Sequence, residues 1–180
     1  MPNPEEMMEE FRIRLREVIR LCEDGGIVVL PYCVMRTCEE QARLYRRSRT
    51  MEVIRRKIQS LRDKNYPFLA DVLERVGPQK GELGKHVTKA APGESWHNYS
   101  LAADCVPVVD GKAKWEDSCS EWVTFGRAAR VAGLSWAGEW TSFREYPHIQ
   151  LSSFPNPLSE IKSPAAVEDA LKAAGALTAS

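Results

Sequence analysis

Two short segments of this sequence bring together side chains that bind metal ions in proteins. The first runs from Ser95 through His97 to Asp104, and the second is Glu145-Tyr146-Pro147-His148. Two histidines and one aspartate provide three protein ligands and leave the fourth tetrahedral position of a zinc ion open for water, as a catalytic site requires. A neighbouring glutamate that is not a ligand can then take a proton from that water.

The surroundings of Asp104 favour this interpretation. Strand alternation over residues 101–109 places Asp104 on the same face as Ala102 and Val106. A carboxylate among apolar side chains is costly to bury unless something compensates its charge, and a metal ion does so where a histidine is near. The spacing alone leaves a plainer interpretation open, in which the histidines are structural residues and Asp104 is a hydrogen-bond hub.

The two segments resemble the motifs of a known family, the zinc peptidases of the lysostaphin, D-Ala-D-Ala metallopeptidase and hedgehog superfamily. That family combines Ser-x-His, four further positions and Ala-x-Asp with an acidic residue three positions before a histidine, usually after a Trp-Gly-Gly-Asp-Trp-like stretch. A third marker is an arginine followed by Ser or Thr at a helix start, with a glutamine downstream. The matching positions here are Ser95, His97, Ala102, Asp104, Glu145, His148, Arg36, Thr37 and Gln41, with the tryptophan-rich stretch at 136–140.

Within the superfamily, the chain resembles most the L-alanyl-D-glutamate endopeptidases, including phage endolysins, and the D-alanyl-D-alanine carboxypeptidases of peptidoglycan. The resemblance implies one zinc ion bound by His97, Asp104 and His148. It implies that Glu145 is the general base and that Arg36 stabilises the oxyanion or holds a substrate carboxylate. Further candidate substrate contacts are Gln41, Ser95, Trp140 and Tyr146, although Ser95 also suits a turn and the aromatic rings also suit a core.

Three positions depart from the family pattern. Ser100 stands where the first motif usually has glycine, which is tolerable if the backbone there avoids positive φ. Glu139 replaces the commoner aspartate, and Ala137 replaces a glycine. None of these changes removes a predicted ligand or the predicted base.

The elements that must position these residues follow from capping signals and apolar spacing. A helix is predicted from the N-cap Asn3 to Gly25-Gly26, and a buried strand over 27–35. Thr37 and Glu40 form a capping box that opens the next helix. Further strands are predicted at 101–109, 134–136 and 148–151, with a helix over 121–132 between them. We therefore expect an α+β fold, in which a small antiparallel sheet carries the zinc site and packs with helices.

The predicted domain organisation is a zinc peptidase domain over residues 1–155 and a tail over 156–180 with a short helix. Within the domain, residues 46–84 look like a helical insertion, with helices over 50–62 and 66–76. Residues 46–64 contain eight basic residues against two acidic ones. This segment is either a solvated helix face or a patch that binds anionic wall polymers.

The composition of the whole chain narrows the function classes. The 25 basic residues balance the 25 acidic ones among 180, which provides no reason to expect a nucleic-acid binder. The longest apolar run, residues 27–35, is too short for stable membrane insertion, and the acidic, polar N-terminus does not resemble a signal peptide. We expect synthesis in the cytoplasm and action on the cell wall or periplasm after the membrane is breached.

The expected function is a zinc metallopeptidase that cuts the peptide stem of peptidoglycan between L-Ala and D-Glu, as a phage-type endolysin. Removal of the terminal D-Ala by the same site is the first alternative. A non-catalytic wall-binding module with structural zinc is the alternative from another class. A base at Glu145 argues against that module, because a structural zinc site does not need one.

Overall fold

The computed structural model describes residues 3–77 and 85–177. Within these ranges it confirms the predicted α+β class, with seven α-helices and a small antiparallel sheet. The helices are α1 Pro4–Asp24, α2 Cys38–Arg46, α3 Met51–Asp63, α4 Pro67–Arg75, α5 Glu121–Val131, α6 Pro157–Ile161 and α7 Pro164–Ala173. The strands are β1 Val28–Cys33, β2 Ala102–Val109, β3 Lys112–Ala113, β4 Ser135–Trp136 and β5 His148–Gln150. Short 3₁₀ turns lie at Trp96–Tyr99 and Ala137–Glu139.

The chain forms two compact units. Among the described residues, the sheet unit consists of those up to Met35 and of Ser100–Ser153, and the helical unit consists of those between Arg36 and Tyr99 and from Phe154 onward. The sheet unit contains all five strands with α1 and α5, and the helical unit contains the other five helices. The predicted division into residues 1–155 and a tail over 156–180 stays a prediction.

The sheet of the sheet unit has the strand order β1-β2-β5-β4, with every pair antiparallel and β3 paired to β2. One face of β1, β2 and β5 is buried through Val29, Cys105 and Ile149. The prediction of a buried strand over 27–35 is nevertheless wrong, because β1 lies at the edge of the sheet and exposes Val28, Leu30 and Tyr32. Helix α1 contacts β1 and α5, and its buried residues recur at three- and four-residue intervals, as the sequence predicts for a helix that packs on one side. They are Met8, Phe11, Leu15, Val18 and Cys22.

A β-bulge interrupts the pairing of β1 with β2. Pro31 is opposite Cys105 and Cys33 is opposite Asp104, so Tyr32 is the extra residue. A bulge shifts the alternation of the strand that contains it by one residue. It therefore places Cys33 directly across from Asp104, an arrangement that strict alternation from Val28 does not predict.

The helical unit confirms the helices predicted between residues 37 and 76. The capping box between Thr37 and Glu40 is present in both directions at the start of α2. Thr50 accepts a hydrogen bond from the backbone N–H of Val53 and begins α3, which packs on α4. The end of the predicted insertion, residues 78–84, lies outside the described residues. Over the two described ranges, no helix combines the length and hydropathy needed to cross a membrane.

Ser100 does not meet the condition under which serine is tolerable at this position, which is a backbone that avoids positive φ. Its φ is +55°, which is the left-handed region that glycine adopts without a steric penalty. The backbone at this position, between the turn at Trp96–Tyr99 and β2, therefore keeps the conformation that suits glycine, and serine adopts it at a cost on the order of 1 kcal/mol.

Candidate active site

Asp104 and His148 form the centre of the candidate site in the sheet unit. They are directly opposite each other in the pairing of β2 with β5. The Nδ1 atom of His148 lies 3.0 Å from Oδ1 of Asp104, and both side chains are largely buried. The antiparallel register therefore brings together an imidazole and a carboxylate that are 44 residues apart in the chain.

The other ring nitrogen of His148 contacts Gln150, a residue to which the sequence motifs assign no role. Nε2 of His148 lies 3.0 Å from Oε1 of Gln150, and Gln150 is buried. Residues two apart on a strand share a face, so the spacing could have drawn attention to Gln150. Its amide orientation depends on contacts that the spacing does not reveal.

Glu145 lines the same cavity as Asp104 and His148, which has a volume of about 210 Å³. The backbone N–H of His148 donates to the carbonyl of Glu145 at 3.3 Å, so the two residues are joined by a tight turn. The N–H of Glu145 donates to the carbonyl of Ala137 at 3.2 Å. The predicted base is thus fixed by its backbone on the wall of the cavity that holds the two predicted ligands.

The aromatic residues beside this turn divide between core and cavity wall. Trp136 is buried, and its indole N–H donates to the carbonyl of Tyr146 at 2.7 Å. Tyr146 lines the cavity, and its ring centroid lies 5.9 Å from that of Trp136. The half-buried Trp140 has its ring centroid 5.7 Å from that of His148. Trp136 therefore supports the turn, and Trp140 and Tyr146 are placed where they can contact a ligand.

Two residues of β1, Tyr32 and Cys33, join the candidate site without having been predicted. Tyr32 lines the cavity, and desolvation together with the charge of Asp104 raises the pKa of its hydroxyl above the usual range. The hydroxyl therefore keeps its proton at neutral pH and can donate a hydrogen bond. The Sγ atom of Cys33 lies within 4.8 Å of a carboxylate oxygen of Asp104. Only the bulge, which the sequence does not signal, brings Cys33 to this position.

The predicted ligand His97 belongs to the helical unit, where the turn Trp96–Tyr99 holds it in a buried position. Trp96 donates from its indole N–H to the carbonyl of Phe154 at 2.6 Å. Tyr99 donates from its hydroxyl to the carbonyl of Gly93 at 3.0 Å. The backbone that carries His97 is therefore anchored on both sides.

Arg36 is fixed to this turn through its backbone. Its N–H donates to the carbonyl of His97 at 3.1 Å, and the amide of Asn98 donates to its carbonyl at 2.8 Å. Asn98 is fully buried and also accepts from the N–H of Gly93 at 3.0 Å. Asn98 is not among the residues that the motifs indicate, although a polar residue next to a predicted ligand was an available signal.

The remaining two predicted contacts, Gln41 and Ser95, have structural partners in the same unit. The Oε1 atom of the fully buried Gln41 accepts from the guanidinium of Arg36 at 2.9 Å, and its amide nitrogen donates to the carbonyl of Ala90 at 2.7 Å. Ser95 accepts through its carbonyl from the N–H of Asn98 at 3.0 Å. These contacts are typical of residues that orient Arg36 and begin the turn, and direct substrate contact by either stays a prediction.

The donors in the sheet unit fit a zinc ion. Imidazole nitrogen, carboxylate oxygen and thiolate sulfur are the ligands that zinc takes in proteins. Two ligand atoms bonded to one tetrahedral zinc at its usual bond lengths are about 3.3 Å apart, which is close to the separation of His148 Nδ1 and Asp104 Oδ1. Asp104 and His148 are therefore suited to hold the ion, with Cys33 as a neighbouring soft donor.

The segment that carries the motifs is similar to a known class of peptidases. Residues 88–151, which include His97, Asp104, Glu145 and His148, match a peptidase family described as D-alanyl-D-alanine carboxypeptidase. The match confirms the resemblance to that peptidase superfamily predicted from the motifs.

A particular relative is the peptidoglycan L-alanyl-D-glutamate endopeptidase CwlK of Bacillus subtilis (strain 168), which is 36% identical over 76 residues. The aligned region covers 38% of this chain and 46% of the relative, so the chain spans less than half the length of that curated protein. Among solved structures, the L-Ala D-Glu endopeptidase ChiX of Serratia marcescens matches with a TM-score of 0.43 and 21% identity, over 84% of this chain and 87% of the other.

Proposed function

We propose that this protein is a zinc peptidase that cleaves the peptide stem of bacterial peptidoglycan between L-Ala and D-Glu. The observation that carries the proposal is the pair formed by Asp104 and His148 on opposed strands, with Glu145 on the wall of the same cavity. The similarity to an L-alanyl-D-glutamate endopeptidase supports the choice of bond.

Each proposed role corresponds to a chemical requirement of amide hydrolysis. His97, Asp104 and His148 would hold one zinc ion, which would polarise the scissile carbonyl and make a water molecule more acidic. Glu145 accepts the proton of that water and delivers it to the amine nitrogen that leaves. The guanidinium of Arg36, oriented by Gln41, stabilises the negative charge that develops on the carbonyl oxygen.

The biological role that follows is lytic. Cleavage between L-Ala and D-Glu separates the rest of the peptide stem from the L-Ala that stays on the glycan strand, and so opens the crosslinked wall. Removal of a terminal D-Ala leaves the crosslinks intact. We therefore propose an endolysin of the phage type that reaches the cell wall once the membrane is breached. We therefore expect the protein to lower the turbidity of a suspension of cells whose outer membrane has been permeabilised.

The test of the proposed function is mass spectrometry of the fragments that the protein releases from purified peptidoglycan. We expect free amino groups on D-Glu, L-Ala retained on the glycan, and uncut glycan strands. Release of D-Ala alone from a pentapeptide stem would replace the endopeptidase by the carboxypeptidase that the family description names. Binding to sacculi without any released fragment would favour the non-catalytic wall-binding module.

A further inference from the structure

Gln150 is a buried polar residue that the proposed mechanism does not use. It lies on β5 between β2 and β4, where it is opposite Ala102 on one side and Ser135 on the other. Only 1% of its surface is exposed. A primary amide at such a position is costly unless both its ends are hydrogen-bonded, so its partners indicate why it is there.

Those partners determine the orientation of the Gln150 amide. Its nitrogen donates to the carbonyl of Ser152 at 2.7 Å, and a carbonyl can only accept. The oxygen of the amide therefore faces His148, where it lies 3.0 Å from Nε2. Because an amide oxygen cannot donate, the hydrogen between these two atoms belongs to Nε2 of His148.

The hydrogen on Nε2 also determines what Nδ1, the other ring nitrogen of His148, can do. With the hydrogen on Nε2 held by Gln150, Nδ1 is the ring nitrogen whose lone pair is available to a metal ion, and it lies 3.0 Å from the carboxylate of Asp104. The two atoms can share a proton, or they can bind one metal ion together when the proton on Nδ1 is absent. The arrangement therefore directs Nδ1, and not Nε2, toward the position where a metal ion is stabilised by both groups.

We propose that Gln150 is a positioning residue that holds His148 in the Nε2–H tautomer and so makes Nδ1 the metal-binding atom. The inference rests on the proposed function, because it assigns the atom through which one proposed ligand acts. Hydrogen bonds from the second nitrogen of a metal-bound histidine fix its ring and are typically worth 10- to 100-fold in metal affinity.

The experiment uses the full chain loaded with zinc and two measurements. Long-range ¹H–¹⁵N spectra of the histidine side chains report which nitrogen of His148 carries the hydrogen, and competition with a chelator reports the zinc affinity. In the wild type we expect hydrogen on Nε2 and zinc on Nδ1. Gln150→Leu, which removes the acceptor at similar volume, should weaken zinc binding about 10- to 100-fold and abolish the slowly exchanging Nε2–H signal.

Two further variants separate this effect from damage to the fold. Ile149→Val removes a methylene from the neighbouring buried position on β5, so it perturbs packing but should leave both the zinc affinity and the Nε2–H signal unchanged. Gln150→Glu keeps an acceptor oxygen for Nε2–H and should therefore retain that signal. This variant tests the proposal if Gln150→Leu does not fold.

The outcomes distinguish this inference from the proposed function. A wild type that binds zinc with hydrogen on Nδ1, or a folded Gln150→Leu within twofold of wild-type affinity, would overturn the role of Gln150 and leave the zinc peptidase intact. A wild type that binds no zinc would overturn both.

Discussion

The carboxylate of Asp104 is largely buried in the sheet unit, and its negative charge is costly there unless another group compensates it. Its carboxylate meets the imidazole of His148 at hydrogen-bond distance and lies near the thiol of Cys33. A cation stabilises a buried carboxylate of this kind. The ligand atoms present, which are carboxylate oxygen, imidazole nitrogen and thiol sulfur, are those that bind zinc in proteins. The most direct tests at the scale of single residues therefore remove this charge or the neighbouring proposed base.

Replacement of Asp104 by alanine should abolish stoichiometric zinc binding and peptidoglycan hydrolysis, because two remaining ligands hold the ion poorly. Metal analysis of the purified variant should find less than about a tenth of an equivalent of zinc. The matched control is Asp117→Ala, which removes an exposed carboxylate from the wall of the same cavity and should retain the metal. Full zinc content in Asp104→Ala would show that Asp104 is not a ligand.

Replacement of Glu145 by glutamine should preserve zinc content and the fold while lowering the rate of hydrolysis by about 10²- to 10⁴-fold, since an amide has the shape of the carboxylate but cannot accept the proton. Rates on purified peptidoglycan measure the effect. Glu139→Gln, which alters an exposed carboxylate paired with Arg130, should keep the wild-type rate. A Glu145→Gln variant within twofold of wild type would exclude Glu145 as the base.

At the scale of elements, the site depends on the connection between β4 and β5, residues 137–147. Trp136 anchors this connection by donating to the carbonyl of Tyr146, next to Glu145. The indole ring of Trp136 lies directly over Gly126 of α5 and over Gly138, and a Cβ atom at either glycine would overlap it. Helix α5 therefore positions the predicted base through the packing of one tryptophan.

This packing predicts that replacing Gly126 in α5 by alanine destabilises the protein, which is the opposite of the usual effect of this change within a helix. Glycine to alanine within a helix ordinarily stabilises a protein by about 0.5–1 kcal/mol. Gly126→Ala should instead lower the free energy of unfolding by about 1–3 kcal/mol, because the new methyl group forces a rigid ring to move. Denaturant unfolding measures this change. Val131→Ala, at an exposed position of α5, should have little effect, and a more stable Gly126→Ala would contradict the packing argument.

At the scale of the whole molecule, the basic segment over residues 46–64 is less positive than its sequence indicates. Lys57 pairs with Glu94 at 2.6 Å, and Arg56 pairs with Glu52. Arg62 contacts Asp71 and Glu74, and Arg46 is buried with its guanidinium donating to the carbonyl of Leu73. The exposed cations of the segment that have no ion pair within the described part of the chain are Arg47, Arg55 and Lys64.

Binding to anionic wall polymers through this segment stays a prediction, and these three cations are where it is best tested. Neutralising Arg47, Arg55 and Lys64 to glutamine should weaken pelleting with sacculi at low salt and leave cleavage of a small soluble peptide unchanged, because exposed charges are screened as ionic strength rises. The matched control neutralises Arg12, Arg16 and Arg20 on the exposed side of α1. If both triple variants pelleted as well as the wild type, the segment would not bind wall polymers. The solvated helix face would then be the correct interpretation.

The features that the sequence alone determined are those that depend on neighbouring residues. The capping box at Thr37, the N-cap at Asn3 and the apolar spacing of α1 involve partners within one or two helical turns, so their patterns are readable without the fold. The resemblance to the peptidase motifs likewise predicted that Asp104, Glu145 and His148 act as one chemical group. A short motif allows such a prediction because it specifies the residue types of a site, even though it does not specify the distances between their side chains.

The features that only the tertiary structure decided involve contacts between distant segments. The register of β2 with β5 places Asp104 opposite His148, and the bulge at Tyr32 turns Cys33 toward the same carboxylate. The ion pair of Lys57 with Glu94 likewise joins residues 37 positions apart. Strand register, bulges and side-chain hydrogen bonds are set by the packing of whole elements, which local residue patterns do not encode. For that reason the residue types of the candidate site were predictable, whereas the ring nitrogen of His148 that faces Asp104 was not.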